Sequence, residues 1–400
     1  MSVAPGGPPL TALLEGARAA GRIALDTEFM GEGRYRTLLC LVQLAIAEGD
    51  EGTERIVIVD PLDEGIDGAP LAAVLADPAI QVVVHAGRQD IALLRRRFKT
   101  DVRNVFDTQV AAGFAGLGAQ SSYDSLLAEV LGLRVAKTAS FTRWDARPLS
   151  PEQLAYARED VVHLLELAEE LERRLRRLDR LNWALEECEP LERSSDERDV
   201  ETIFGRLPRI SSMSAHSRPL ARELVRWRED TAARQNRPVQ SVLSDAALME
   251  VAKRAPTSGG ELARIRGVGG GNGQGRRAEE LLAALRRGRE SPPDPAPPRP
   301  RHPPSKPDDA PLVALGEALL RTRAREAGLA YELLAARADL QAIVAARRSG
   351  GEADVRTLRG WRRELVGAEL LELLDGGVAL SVDEAGRGRR VQVERRAAEP

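Results

Sequence analysis

The chain has 400 residues, 43% hydrophobic and 30% charged, which is the composition of a soluble globular protein long enough for two or three domains. No stretch approaches the ~20 apolar residues of a membrane span, and the opening MSVAPGGPPL lacks the basic flank and apolar core of a signal peptide, so a cytoplasmic location is expected. Only Cys40 and Cys188 are present, which argues against a disulfide framework or a cysteine-rich zinc site and predicts a reduced interior. The net charge of −3 hides an asymmetry: residues 1–200 carry −11 and residues 206–290 carry +8, while residues 308–400 are nearly neutral. A basic unit beside an acidic one suits a polyanion-binding module serving a cation-dependent domain.

Taken in chain order, the strand candidates are RIALDTEF, LLCLVQLAI, RIVIVD, QVVVH and a short NVF, all rich in β-branched or aliphatic residues. The first three are separated by turn-length gaps, as in an antiparallel meander. Helical patterns alternate with strands from GAPLAAVLAD onward and dominate from Ala111 to Arg180. Residues 206–290 read as all-helical: Leu220, Leu224 and Trp227 form one stripe, Ser258 with Glu261 fits a capping box, and AEELLAALRRG forms a last helix ending at Gly288. Residues 291–307, SPPDPAPPRPRHPPSKP, read as an extended linker. Residues 308–380 then echo the first helical unit about ninety positions later. Leu248, Val251 and Ala252 match Leu340, Ile343 and Val344; Asn236 matches Gly328; Leu262 and Gly267 match Leu358 and Gly360. Residues 381–400 are expected to be a mobile tail.

Asp26 and Glu28 close the first strand, two apart and therefore on one face. Asp90 falls in the first turn of the helix after QVVVH, and Tyr156 and Asp160 lie at i and i+4 on a later helix. Four acids converging on a sheet edge, with no basic partner in these motifs, call for a divalent cation. Carboxylate-only ligation selects Mg2+ or Mn2+ over zinc. Two such ions ~4 Å apart serve in-line phosphodiester hydrolysis.

The ordered set DTEF (26–29), HAGRQD (85–90), FDTQ (106–109), KTASFTRWDARPLS (137–150) and YAREDV (156–161) resembles the motifs of ribonuclease D, a 3′ to 5′ exoribonuclease family of the DEDD superfamily. Residues 206–290 resemble the HRDC domain, and residues 308–380 a diverged second copy. The resemblance implies a ribonuclease-H-like mixed-sheet exonuclease domain over residues 1–200 followed by two all-α HRDC-type domains. It implies that Asp26 bridges two metals, with Glu28 and Asp160 on the metal that binds the attacking water and Asp90 on the second. Tyr156 would orient that water. A sister subfamily places His five residues before the last Asp; Ala155 stands there, which matches the tyrosine branch. Phe29 and Met30 would wedge against the terminal base, and Lys137 and Arg147 are candidates for phosphate contact.

Other features have plainer readings. Asp107 is better read as a helix N-cap than as a fifth ligand, and His85 and His163 as packing or hydrogen-bonding near the site. GVGGGNGQGRR lacks both the Gly-Lys-Ser/Thr and the preceding strand of a nucleotide-binding loop. The expected activity is trimming of structured RNA to release 5′-mononucleotides, with tRNA precursors as substrate. The alternatives are a DNA exonuclease in repair and a noncatalytic RNA-binding scaffold.

Overall fold

A computed structural model describes residues 8–47, 55–135, 143–268, 275–294, 306–383 and 390–396. Helix α1 (Pro8–Ala20) precedes strands β1 (Arg22–Met30), β2 (Leu38–Ala45) and β3 (Ile56–Val59). Then α2 (Ala69–Ala76), β4 (Gln81–Val84), α3 (Arg88–Phe98), β5 (Val105–Asp107) and α4 (Thr108–Phe114) alternate. The five strands form one mixed sheet in the order β3-β2-β1-β4-β5. The β1–β2 and β2–β3 pairs are antiparallel, while β1–β4 and β4–β5 are parallel. All five strand candidates are strands, because β-branched and aliphatic runs bury both faces of this sheet.

Alternation along β1 separates two cores. Ile23 and Leu25 pack with α1, α2 and α3, while Ala24 faces the opposite core. That second core is built on α4, on α5 (Tyr123–Leu126), on α7 (Leu164–Arg177), which follows α6 (Pro151–Val162), and on α8 (Leu181–Cys188). A register shift between Glu28 and Phe29 leaves Cys40 as the extra residue of a bulge in β2.

The next unit is helical: α9 (Val200–Gly205), α10 (Ser217–Gln235), α11 (Val239–Val242), α12 (Asp245–Arg254), α13 (Gly259–Ala263) and α14 (Gly275–Glu290). Leu220, Leu224 and Trp227 are all buried in its core. Phe204 belongs to the same core and lies under the Arg222 guanidinium at 4.4 Å, so packing begins this unit at Val200, before residue 206. The expected capping box forms by half: the Ser258 hydroxyl accepts from Glu261 N–H, but the Glu261 carboxylate takes the N–H of Thr257 instead of Ser258. Gly288 does not end the last helix. It lies within α14, where a Cβ would sit 2.7 Å from the Leu220 Cα, so glycine lets α14 approach α10. Residues 269–274 of the glycine-rich stretch, and residues 295–305 of the Pro-rich segment, lie outside the described residues.

After the Pro-rich segment in sequence come α15 (Ala310–Glu326), α16 (Tyr331–Leu334), α17 (Arg337–Arg348), α18 (Gly360–Arg362) and α19 (Ala368–Leu374). They do not form a separate core. Trp361 packs edge-on against Phe114 at 5.1 Å and stacks on Trp183 at 5.2 Å, joining this unit to α4 and α8. Arg180 donates to the carbonyls of both Phe114 and Ala327. The expected tail is also corrected. Strands β6 (Val378–Asp383) and β7 (Arg390–Arg395) pair antiparallel, because Val378, Leu380, Val382, Val391 and Val393 alternate along them, buried at Val378, partly buried at Leu380 and Val393, and exposed at Val382 and Val391.

Candidate active site

Strand β1 outruns its neighbour. Its parallel pairing with β4 ends at Ala24, so Asp26 and Glu28 stand on a central strand with one edge open, in the crevice beyond the carboxyl ends of parallel strands. Helix α6 packs across β1, β2 and β3. It starts at Pro151 under a complete capping box between Ser150 and Gln153. Ala157 and Val161 are buried on its inner side, which sets Tyr156 and Asp160 toward β1. One carboxylate oxygen from each of Asp26, Glu28 and Asp160 falls within 4.8 Å of the others.

The electrostatics of this trio are unfavourable as it stands. Burial, then the charges of Asp90, Asp160 and Glu28, hold the Asp26 carboxyl well above the usual range. Glu28 is pushed up to about 8 by burial and then by Asp160 and Asp90. Asp160 rises to about 7 through burial and then the nearby Asp124. Among the described residues no Lys or Arg pairs with any of the three. A donor set of carboxylate oxygens alone, crowded and without a cation, fits a hard divalent metal ion.

Asp90 is not one of the trio. The alternation that puts Asp26 and Glu28 together turns Thr27 toward α3, and there the Thr27 hydroxyl donates to the Asp90 carboxylate. Asp90 stays close enough to raise Asp26 and Glu28, and burial lifts its own pKa to about 6. The turn before α3 requires Gly87, since a Cβ there would meet Val84 Cγ2 at 2.5 Å. Thr27 escaped the sequence reading. Its signal is a hydroxyl in the apolar phase of a strand, after Ile23 and Leu25, where a buried polar group needs a partner.

Tyr156 lies in a cluster with Met30, Leu38, Cys40 and Trp144, with the Trp144 ring 6.0 Å away. Burial and the neighbouring carboxylates push its phenol up to about 12. Phe29, on the other side of the bulge, is 39% exposed, a large apolar surface beside the acids. Lys137 lies outside the described residues. Arg147 is not free for phosphate: its Nε and Nη2 grip Asp60 at 2.5 and 2.7 Å, Nη2 also reaches the Cys40 carbonyl, and Nη1 serves the carbonyls of Trp144 and Ala146. All five guanidinium donors are therefore spent on structure, one on the bulge carbonyl.

Asp107 is a structural residue. It accepts from the backbone N–H groups of Gln109 and Val110 as the cap of α4 and from those of Ala86 and Gly87 before α3, while its own N–H donates to Cys188 Sγ. His85 bonds to the Thr108 hydroxyl at 2.9 Å, and His163 faces Glu166. Tyr123 and Asp124 flank the acids from α5, raising Asp160 or being raised by it; neither was singled out by its motif.

Comparisons with known proteins bear on the family and the fold. Residues 9–176 match the family described as 3′-5′ exonuclease, and residues 217–285 match the HRDC domain. Ribonuclease D of Gluconacetobacter diazotrophicus is 40% identical over 94% of this chain and 93% of its own length. That of Granulibacter bethesdensis is 38% identical over 94% and 92%. The crystal structure of Escherichia coli RNase D superposes with a TM-score of 0.77 at 28% identity, covering 92% of this chain and 96% of that one. Of the three activities weighed above, the relatives support the exoribonuclease. With this similarity running the length of the chain, the protein belongs to the ribonuclease D family of 3′-5′ exoribonucleases.

Proposed function

We propose that the protein trims the 3′ ends of structured RNA, tRNA precursors among them, one 5′-mononucleotide at a time. The observation that carries the site assignment is the trio Asp26, Glu28 and Asp160 within 4.8 Å, without a basic partner among the described residues. These three and Asp90 would hold two divalent ions, Mg2+ or Mn2+, which supply neutralisation of the phosphate charge and activation of water. In the hydrolysis, water attacks the terminal phosphorus, the bond to the 3′ oxygen breaks, and that oxygen leaves with a proton. Tyr156, with its phenol held near 12, remains protonated at neutral pH and acts as a hydrogen-bonding orienter of the attacking water. Exposed Phe29 and the adjoining Met30 offer an apolar surface on which a terminal base of any identity can rest.

Catalysis is assigned to residues 1–200 and the grip on the RNA body to residues 206–290. Arg206, Arg209, Arg237, Lys253, Arg264 and Arg266 are exposed and make no ion pair among the described residues, which leaves them for phosphates. Residues 308–380 are assigned as a diverged second HRDC-type domain. Helices α15, α16 and α17 follow the order of α10, α11 and α12, and Asn236 and Gly328 both adopt left-handed conformations at the ends of the first helices. E. coli RNase D is described as an exoribonuclease involved in structured RNA processing, which favours the same class here.

The test is metal-dependent digestion of a tRNA precursor carrying a 3′ trailer, beside a DNA of matched sequence. Asp26→Ala and Asp160→Ala should abolish digestion and leave RNA binding in place. Retained trimming in either variant removes the site assignment, and preference for the DNA removes the substrate.

A further inference from the structure

The loop of residues 31–37 leaves β1 directly after Met30 and touches two walls of the catalytic cleft. Arg34 pairs with Asp145 at 3.0 Å, next to Trp144, whose ring lies on Tyr156. The Thr37 carbonyl accepts from Arg96 of α3, the helix that carries Asp90. Tyr35 faces away from the cleft and is bound by the helical unit. Its hydroxyl donates to Glu229 Oε2 of α10 at 3.0 Å, and its N–H donates to the Asn236 side chain at 3.3 Å. Among the described residues, all hydrogen bonds from this loop to the helical unit run through Tyr35.

Glu229 is built for a fixed position. It is 4% exposed, and both of its oxygens are gripped by Arg198, from Nε at 2.5 Å and from Nη2 at 3.0 Å. The Arg198 guanidinium lies 5.5 Å from the Tyr35 ring centre. The circuit closes on itself, since Arg96 also pairs with Asp196, two residues before Arg198. A paired, buried carboxylate has few alternative geometries, so the orientation of α10 is passed to the backbone that follows the catalytic strand.

We propose that Glu229 and Tyr35 form a latch through which the helical unit sets the cleft wall, making both of them positioning residues for hydrolysis of the terminal nucleotide. The latch acts on any substrate in the cleft, including one too short to reach the exposed cations of the helical unit. A contact that merely joins two domains would affect long RNA alone. The inference rests on the exonuclease site and not on which RNA is trimmed.

The experiment compares full-length wild type with Tyr35→Phe and Glu229→Gln, using a diribonucleotide and a tRNA precursor, with Mn2+ affinity measured by titration without substrate. On the diribonucleotide kcat should fall about tenfold or more, as small displacements of aligned groups do, with KM, Mn2+ affinity and affinity for the precursor unchanged. Unaltered diribonucleotide kinetics, a loss confined to the precursor, or a loss that tracks Mn2+ affinity overturns the proposal. Should Glu229→Gln fail to fold, Tyr35→Phe decides alone, because its ring stays beside Arg198 and Arg198 keeps Glu229 paired.

Discussion

The two helical units join the catalytic domain in opposite ways. The unit around α10 has a core of its own, with Tyr35 packed at its edge, and meets the catalytic domain there through a phenol, an amide and an ion pair. The unit around α15 shares its core with α4, α7 and α8. At that junction Trp361 lies between Phe114 and Trp183, and Glu187 binds the buried Arg362. A polar junction permits adjustment at small cost, whereas a shared apolar core must be broken to move. The last unit is therefore part of the catalytic body, and the first is an attachment to it.

The most severe challenge to this comparison is Trp361→Ala. Truncating a buried aromatic costs about 3–5 kcal/mol, and here the loss should appear in the melting of the catalytic body and in the yield of active enzyme. If activity on short RNA melts at the wild-type temperature, the shared core does not support the exonuclease domain. A smaller effect is expected from Gly288→Ala, which drives a methyl into the Leu220 backbone. Overpacking of this kind costs about 1–3 kcal/mol. It should lower the melting of the α10 unit and leave diribonucleotide turnover at wild-type rates in calorimetry paired with kinetics.

The mildest test uses pH. In the metal-free protein Asp90, Asp160 and Glu28 have folded values near 6, 7 and 8, above their ordinary values of 3.8, 3.8 and 4.5. Groups raised on folding contribute stability that is fully present below about pH 4 and lost as pH climbs through about 8. In EDTA the melting temperature of the catalytic body should thus fall between pH 5 and pH 8.5, and Mn2+ should restore it at the upper end. The α10 unit, which contains none of these acids, should show neither response; a parallel shift in both transitions would mean that they are not separate.

Much of this arrangement was legible in the residues. Runs such as IALDTEF and VVVH have no stable place except a buried sheet, and two-residue spacing put Asp26 and Glu28 on one face. What escaped was the choice among partners for polar groups. Arg147 looked like a phosphate ligand because sequence does not show that Asp60 and three carbonyls use up its donors. Asp90 reads as a ligand of the second metal, but sequence does not show that Thr27, from the far side of the strand, donates to its carboxylate. Gly288 resembled a helix stop because close approach of another backbone leaves no local trace. The last hairpin was obscured by its arginines, which mask a five-position apolar alternation.

The two cysteines give the catalytic body a chemical marker. Cys40 sits at the bulge beneath Arg147 and Cys188 takes the Asp107 N–H; burial pushes their thiols up to about 11 and 12. Thiolate is the species that alkylating reagents capture, so both sulfurs are inert while the domain is closed. The chain contains no other cysteine. The rate of alkylation in the native protein therefore measures transient opening of the catalytic body alone, without an engineered probe and without interference from the attached helices.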